Sequence, residues 1–100
     1  MYRGTTPTHT FTLPFDAALV EKLRITYAQA GREILVKSDG DLSIEGNVVT
    51  VQLTQEETLA FRCNREVEMQ IAARTPDGDV IKSTILRTKV ARCLNSEKLQ

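Results

Sequence analysis

No tryptophan occurs in this sequence, histidine occurs once, as His9, and cysteine twice, as Cys63 and Cys93. Each shortage removes a class of chemistry. One histidine cannot supply a His-based zinc site within a single chain, and Cys63 or Cys93 would need unusual partners to hold the metal. The cysteines lie too far apart to form a metal knuckle or a closely spaced redox pair, and in a cytosolic chain they are expected to be reduced and partly buried. Five aromatic residues leave most of the core to Val, Ile and Leu. Basic and acidic residues number 13 each and cancel. A balanced chain has no bias toward nucleic acid or an anionic membrane, since both require concentrated positive charge. No stretch approaches the roughly 18 apolar residues of a membrane-spanning helix, and Met1–Pro7 lacks the apolar core of a signal peptide. These absences keep the protein in the cytosol unless another machine carries it out, and its length makes one domain with a modest core.

What the sequence does have is alternation. Val67, Met69, Ile71 and Ala73 alternate with polar residues, the period of a strand with one buried face. After Pro76-Asp77-Gly78-Asp79 a second run carries Val80, Ile81, Ile85, Leu86 and Val90. Asp-Gly between two such runs signals a hairpin, with Gly78 in the left-handed conformation that closes the turn. This long hairpin is expected at the centre of the protein. Its second arm changes parity, Ile81 and Ile85 on one side and Leu86, Thr88 and Val90 on the other. A β-bulge near Ile85–Leu86 would switch the register and reconcile the two sets.

Upstream, residues 1–6 are small and polar and read as a flexible or partner-ordered leader. His9, Phe11 and Leu13 share one face of a strand that Pro14 ends or marks as an edge. Asp16 to Val20 can make one short helical turn. Leu23, Ile25 and Tyr27 form a second strand, and Ala30-Gly31 turns the chain into a third through Ile34-Leu35-Val36. Leu42 and Ile44 face Val49, Val51 and Leu53 in a tight hairpin closed by Gly46-Asn47. Thr54 with Glu57 is a capping-box signature that predicts one helical turn over 55–59, with Leu59 and Phe61 plugging the end of the core. Residues 7–94 make a single domain and 95–100 a polar tail. Seven or so short strands with regularly spaced turns point to an all-β, antiparallel sandwich of immunoglobulin-like type with one short helical turn.

The residue types that could carry chemistry have plainer explanations. Asp39-Gly40-Asp41 and Asp77-Gly78-Asp79 lack the spacing and distal Glu of a calcium loop and read as turns. His9 with Cys63 or Cys93 would be a nucleophilic pair without a third group. Glu56 and Glu57 read as a surface charge and a cap. Basic residues gather in the C-terminal hairpin, from Arg62 to Arg92, but Glu66, Glu68, Asp77 and Asp79 dilute them. No catalytic, cofactor-binding or metal site is assigned, and the chain is read as a non-enzyme with no cofactor.

The succession of Arg3-Gly4-Thr5-Thr6-Pro7, Leu23-Arg24-Ile25-Thr26-Tyr27, Ile44-Glu45-Gly46-Asn47, Leu53-Thr54-Gln55-Glu56-Glu57-Thr58 and Thr75-Pro76-Asp77-Gly78 resembles small proteins of prophages and mobile elements in Gram-positive gut bacteria. Over residues 9–92 the plan is also similar to the immunoglobulin-like N-terminal domain of phage upper baseplate proteins. The resemblance implies a structural or adaptor protein of a phage particle, tail or baseplate, acting through protein–protein contacts, cytoplasmic before assembly and virion-borne after it. The expected contact is the Thr-rich edge strand Thr8–Leu13 with its leader, joined to a second copy or a neighbouring structural protein, with neither nucleic acid nor membrane as partner. The alternative is a small cytosolic regulatory or ligand-binding β-domain.

Overall fold

Strands form where the apolar residues alternate. In the computed structural model, which describes residues 1–83 and 85–92, they are β1 (Thr8–Thr12), β2 (Lys22–Gln29), β3 (Arg32–Ser38), β4 (Leu42–Glu45), β5 (Val48–Gln52), β6 (Glu66–Arg74), β7 (Val80–Lys82) and β8 (Leu86–Lys89). One antiparallel sheet has the order β1-β5-β4. The other runs β3-β2-β6, with β7 and β8 sharing the far side of β6. The chain crosses between sheets after β1, after β3 and after β5. Counting β7 and β8 as one interrupted strand, this is the expected seven-stranded immunoglobulin-like sandwich.

The inward faces are those the alternation marked. Phe11, Leu13, Val49, Val51 and Leu53 from the smaller sheet pack against Leu23, Ile25, Tyr27, Val67, Met69, Ile71 and Ala73 from the larger, with Phe61 and Val90 closing the core. Turn chemistry fixes the registers. In the β6–β7 loop Gly78 N–H donates to Thr75 O at 3.0 Å, with Pro76 at the first central position and Gly78 at φ +91°, a type I turn followed by a left-handed residue. In the β2–β3 hairpin both loop residues have positive φ, Ala30 at 51° and Gly31 at 76°, which matches the strand twist but places a Cβ where glycine or asparagine is preferred.

The capping box forms as expected. Thr54 N–H donates to Glu57 Oε1 at 2.8 Å and Glu57 N–H to Thr54 Oγ1 at 3.1 Å, opening helix α1 (Gln55–Leu59). Phe61 is buried and Leu59 is half-buried. Asp16–Val20 contributes a single 3-10 turn at Ala17–Leu19, and Asp39–Asp41 is another.

The bulge is present. Ala72 pairs with Lys82 and Met69 with Leu86, so between these two pairs the edge has one residue more than β6. Ser83 secures it, its N–H donating to Ile71 O and its hydroxyl accepting from Ile71 N–H. The bulge does not bury both apolar sets. Ile81, Ile85 and Leu86 remain 46%, 45% and 40% exposed. A three-stranded sheet facing a four-stranded one leaves an edge uncovered, and β7–β8 is that edge. The hairpin is therefore central in its first arm only.

The leader 1–6 lies against the domain: the Met1 ammonium donates to Lys89 O, Ala91 N–H to Met1 O, Gly4 N–H to Thr58 Oγ1, and Thr58 Oγ1 to Thr5 O at 2.8 Å. Polar backbone lying against a packed surface finds partners there rather than water. One further expectation is corrected. Cys63 is not a thiol but is disulfide-bonded. Cys93, the other cysteine of the sequence, and the tail 95–100 lie outside the described residues.

Candidate functional site

Strand β1 forms one edge of its sheet, pairing only with β5 among the described residues. Its register follows from the ends. Leu53 N–H donates to Pro7 O and Leu13 N–H to Asn47 O, so the odd-numbered residues His9 and Phe11 turn their backbone groups toward β5. In an antiparallel ladder the alternate residues turn theirs away. Thr8, Thr10 and Thr12 therefore present N–H and C=O to the open edge, and their side chains are exposed. This edge carries no charged side chain.

The inner side of β1 is held by a hydrogen bond across the sandwich. Tyr27 of β2 is fully buried, and its Oη lies 2.8 Å from His9 Nδ1. Burial, then the charge of Glu57, pushes the Tyr27 phenol up, keeping it protonated. Burial, then the N-terminal ammonium, pulls the half-buried His9 below its ordinary 6.5, keeping it neutral. One hydrogen bond between a protonated phenol and a neutral imidazole thus joins Tyr27 Oη and His9 Nδ1, whichever ring nitrogen carries the proton. The Tyr27 ring also meets Phe61 edge-on, centroids 6.0 Å apart.

A second polar link joins β3 to α1. Lys37 pairs in register with Ile25 and so turns inward, where its Nζ lies 2.6 Å from Glu57 Oε2. Burial alone would raise the Glu57 carboxyl. The hydrogen bond from Lys37, the Thr54 N–H and the Lys37 charge together hold it below its ordinary value. Gln29, also buried, donates from its amide to Arg62 O and accepts from Arg62 N–H at 2.7 Å, tying the chain after α1 to the end of β2. The leader passes along Thr58 and on to Lys89, so it does not lie along β1.

Three of the residues weighed for catalysis have other partners among the described residues. His9 is taken up by Tyr27, Cys63 by its disulfide, and Glu57 by the cap and Lys37. Among the described residues no group of three or more His, Cys, Asp or Glu could hold a metal ion, and no helix is long and apolar enough to cross a membrane. In the hairpin Arg87 pairs with Glu66 at 3.1 Å and Glu68 at 3.5 Å, and Arg74 with Glu21 at 3.6 Å. The links of His9 to Tyr27, Lys37 to Glu57 and Gln29 to Arg62 escaped sequence reasoning. Only the inward parity of His9 and Gln29 hinted at two of them.

No protein-family model matches the chain, and no curated protein matches it. Two solved structures are similar. The V domain of amphioxus IgVJ-C2 is 12% identical, covers 90% of this chain and 96% of its own, and has a TM-score of 0.37. The amphioxus IgVJ-C2 molecule is 11% identical over 90% of this chain and 53% of its own, with a TM-score of 0.36. The reading of the site rests on strand order and register instead.

Proposed function

We propose that the chain is a non-enzymatic structural or adaptor domain that works by strand-to-strand contact at β1. The observation that carries this reading is the row of outward backbone groups on Thr8, Thr10 and Thr12. Main-chain hydrogen bonds of that kind give affinity when a further strand is added, and side chains set its register. The partner is β1 of a second copy. Antiparallel pairing centred on Thr10 sets Thr8 against Thr12 in both directions, a self-complementary contact of the kind two-fold dimers use. It places threonine opposite threonine, a favourable cross-strand pair, and brings no like charges together. Two three-stranded sheets would merge into one of six.

The resemblance to prophage and baseplate proteins supports a phage particle or tail as the setting. The disulfide at Cys63 suits a protein that works in oxidising surroundings, as a released virion does. A ligand-binding β-domain is the second reading, favoured by a groove of about 600 Å³ on the outer face of the larger sheet.

Sedimentation equilibrium on the full chain and on Thr10→Pro tests the first reading. Proline at position 10 removes an N–H that faces outward and leaves the ladder to β5 intact. The full chain is expected to self-associate and the variant to remain a folded monomer. A full chain that stays monomeric at high concentration overturns the proposal.

A further inference from the structure

The outer face of the larger sheet separates charge in a way its own fold does not require. At one end the cross-strand rows are complementary, Glu68 opposite Arg87 and Glu66 opposite Lys89, with Arg87 ion-paired to both glutamates. At the other end Ser38, Arg24, Ala72 and Lys82 form one row, and Lys22, Arg74 and Val80 form the next. Lys22 thus stands directly opposite Arg74, with Arg24 on the diagonal. Like charges so placed destabilise a sheet. Only Arg74 has a carboxylate partner, Glu21 at 3.6 Å and well exposed. Among the described residues Lys22, Arg24 and Lys82 are in no ion pair, and Asp39, which lines the same end of the face, accepts from Leu23 N–H at 2.8 Å.

This end of the face is also concave. Ala72 supplies a small side chain at the middle of the first row, and the groove of about 600 Å³ runs over it from Val36 and Ser38 on β3 to Val80 on β7. Val36 is 37% exposed and Val80 63%, so an apolar residue stands at each rim, and the charged lining between is Lys22, Arg24 and Arg74 against the single carboxylate of Asp39.

We infer that this groove is a docking site for an extended acidic segment of a partner protein, with carboxylates on Arg24, Arg74 and Lys22 in the groove and on Lys82 beside it, and apolar side chains against Val36 and Val80. Four strands about 4.8 Å apart span about 14 Å, the length of roughly four extended residues. Charge complementarity selects an anionic occupant, and the apolar rims select a peptide over a bare anion. A nucleic acid would call for aromatic platforms on which bases stack, and no aromatic residue lines the groove. The site lies on the opposite sheet from β1 and stands or falls independently of the edge contact.

Amide chemical-shift titration of the full chain with an alternating Glu-Val peptide of about six residues tests it, beside an oligothymidylate of similar length and inorganic phosphate. The peptide is expected to shift the amides of Arg24, Ala72, Arg74 and Lys82, and added salt to weaken it. Arg24→Glu and Lys82→Glu, both exposed, are each expected to weaken binding about tenfold or more. Lys89→Glu, at the compensated end, should change it by less than about twofold. Absence of shifts in the groove, equal loss in Lys89→Glu, or tighter binding of the oligonucleotide or of phosphate than of the peptide would overturn the assignment.

Discussion

Strand β1 and the β7–β8 strand are both sheet edges, yet they offer different things to solvent. Along β1 the ladder to β5 is unbroken from Thr8 to Thr12, Phe11 is buried, and the exposed side chains are threonines. Along β7–β8 the ladder is interrupted by an extra residue, Lys82, Arg87 and Lys89 project outward, and Ile81, Ile85 and Leu86 stand nearly half out. Bulges and charged side chains are devices that keep edges from pairing with other chains. The edge with apolar surface has both devices, and the edge with ordered hydrogen-bonding capacity has neither. Exposed apolar area and readiness to accept a strand are therefore separate properties here, and the second marks β1.

The sharpest contrast is energetic. Phe11→Ala is expected to cost about 3–5 kcal/mol by opening a cavity between the sheets, and Leu86→Ala about 1 kcal/mol or less because much of that side chain already meets water. Urea titration of both variants checks this. Similar losses would mean that the two edges are equally well covered. Next in size is Cys63→Ser, expected to cost about 2–4 kcal/mol by releasing a constraint on the unfolded chain. Titration of the denatured wild-type protein should find no thiol at Cys63.

Gly78→Val loosens the loop that delivers the chain to β7. A β-branched residue is strained at positive φ, and a loss of about 1–2 kcal/mol is expected in urea titration. No atom crowds the position, so the cost is conformational.

The smallest effect comes from acid acting on β1. His9 binds protons less readily folded than unfolded, so its contribution to stability is complete above its ordinary value of 6.5 and is lost as pH falls through the lower folded value. Protonation puts a charge on the half-buried ring beside the buried Tyr27 hydroxyl. Glu57, also depressed, adds a loss only below its ordinary 4.5. Denaturation midpoints measured between these two values should slope downward with falling pH in wild type and flatten in His9→Phe.

Local chemistry was legible where a few neighbouring residues decide the outcome. The Thr54–Glu57 cap, the Pro76-Asp77-Gly78 turn and the parity switch that locates the bulge are all of this kind. Features that depend on which strands become neighbours were not. Nothing local says that β6 has a strand on each side while β7–β8 has one, so the burial expected for Ile81, Ile85 and Leu86 failed. The outer row of Arg24, Ala72 and Lys82 joins three strands, two of them far apart in sequence, and the basic residues seemed confined to the C-terminal hairpin until β2 added Lys22 and Arg24. The contacts of the leader were not legible either, because small polar residues carry no pattern that points Gly4 and Thr5 to the buried Thr58 hydroxyl. Cys63 misled because compartment, rather than geometry, set the expectation.

Residue-resolved amide hydrogen exchange, followed as a function of protein concentration, tests the claim for β1 most directly. In dilute protein the amides of Thr8, Thr10 and Thr12 should exchange readily while those of His9 and Phe11 are protected by β5. As concentration rises the three threonine amides should slow together, and the exchange of Arg87 and Lys89 should not change. Threonine amides that exchange at the same rate at every concentration, while those of β7–β8 slow, would contradict it.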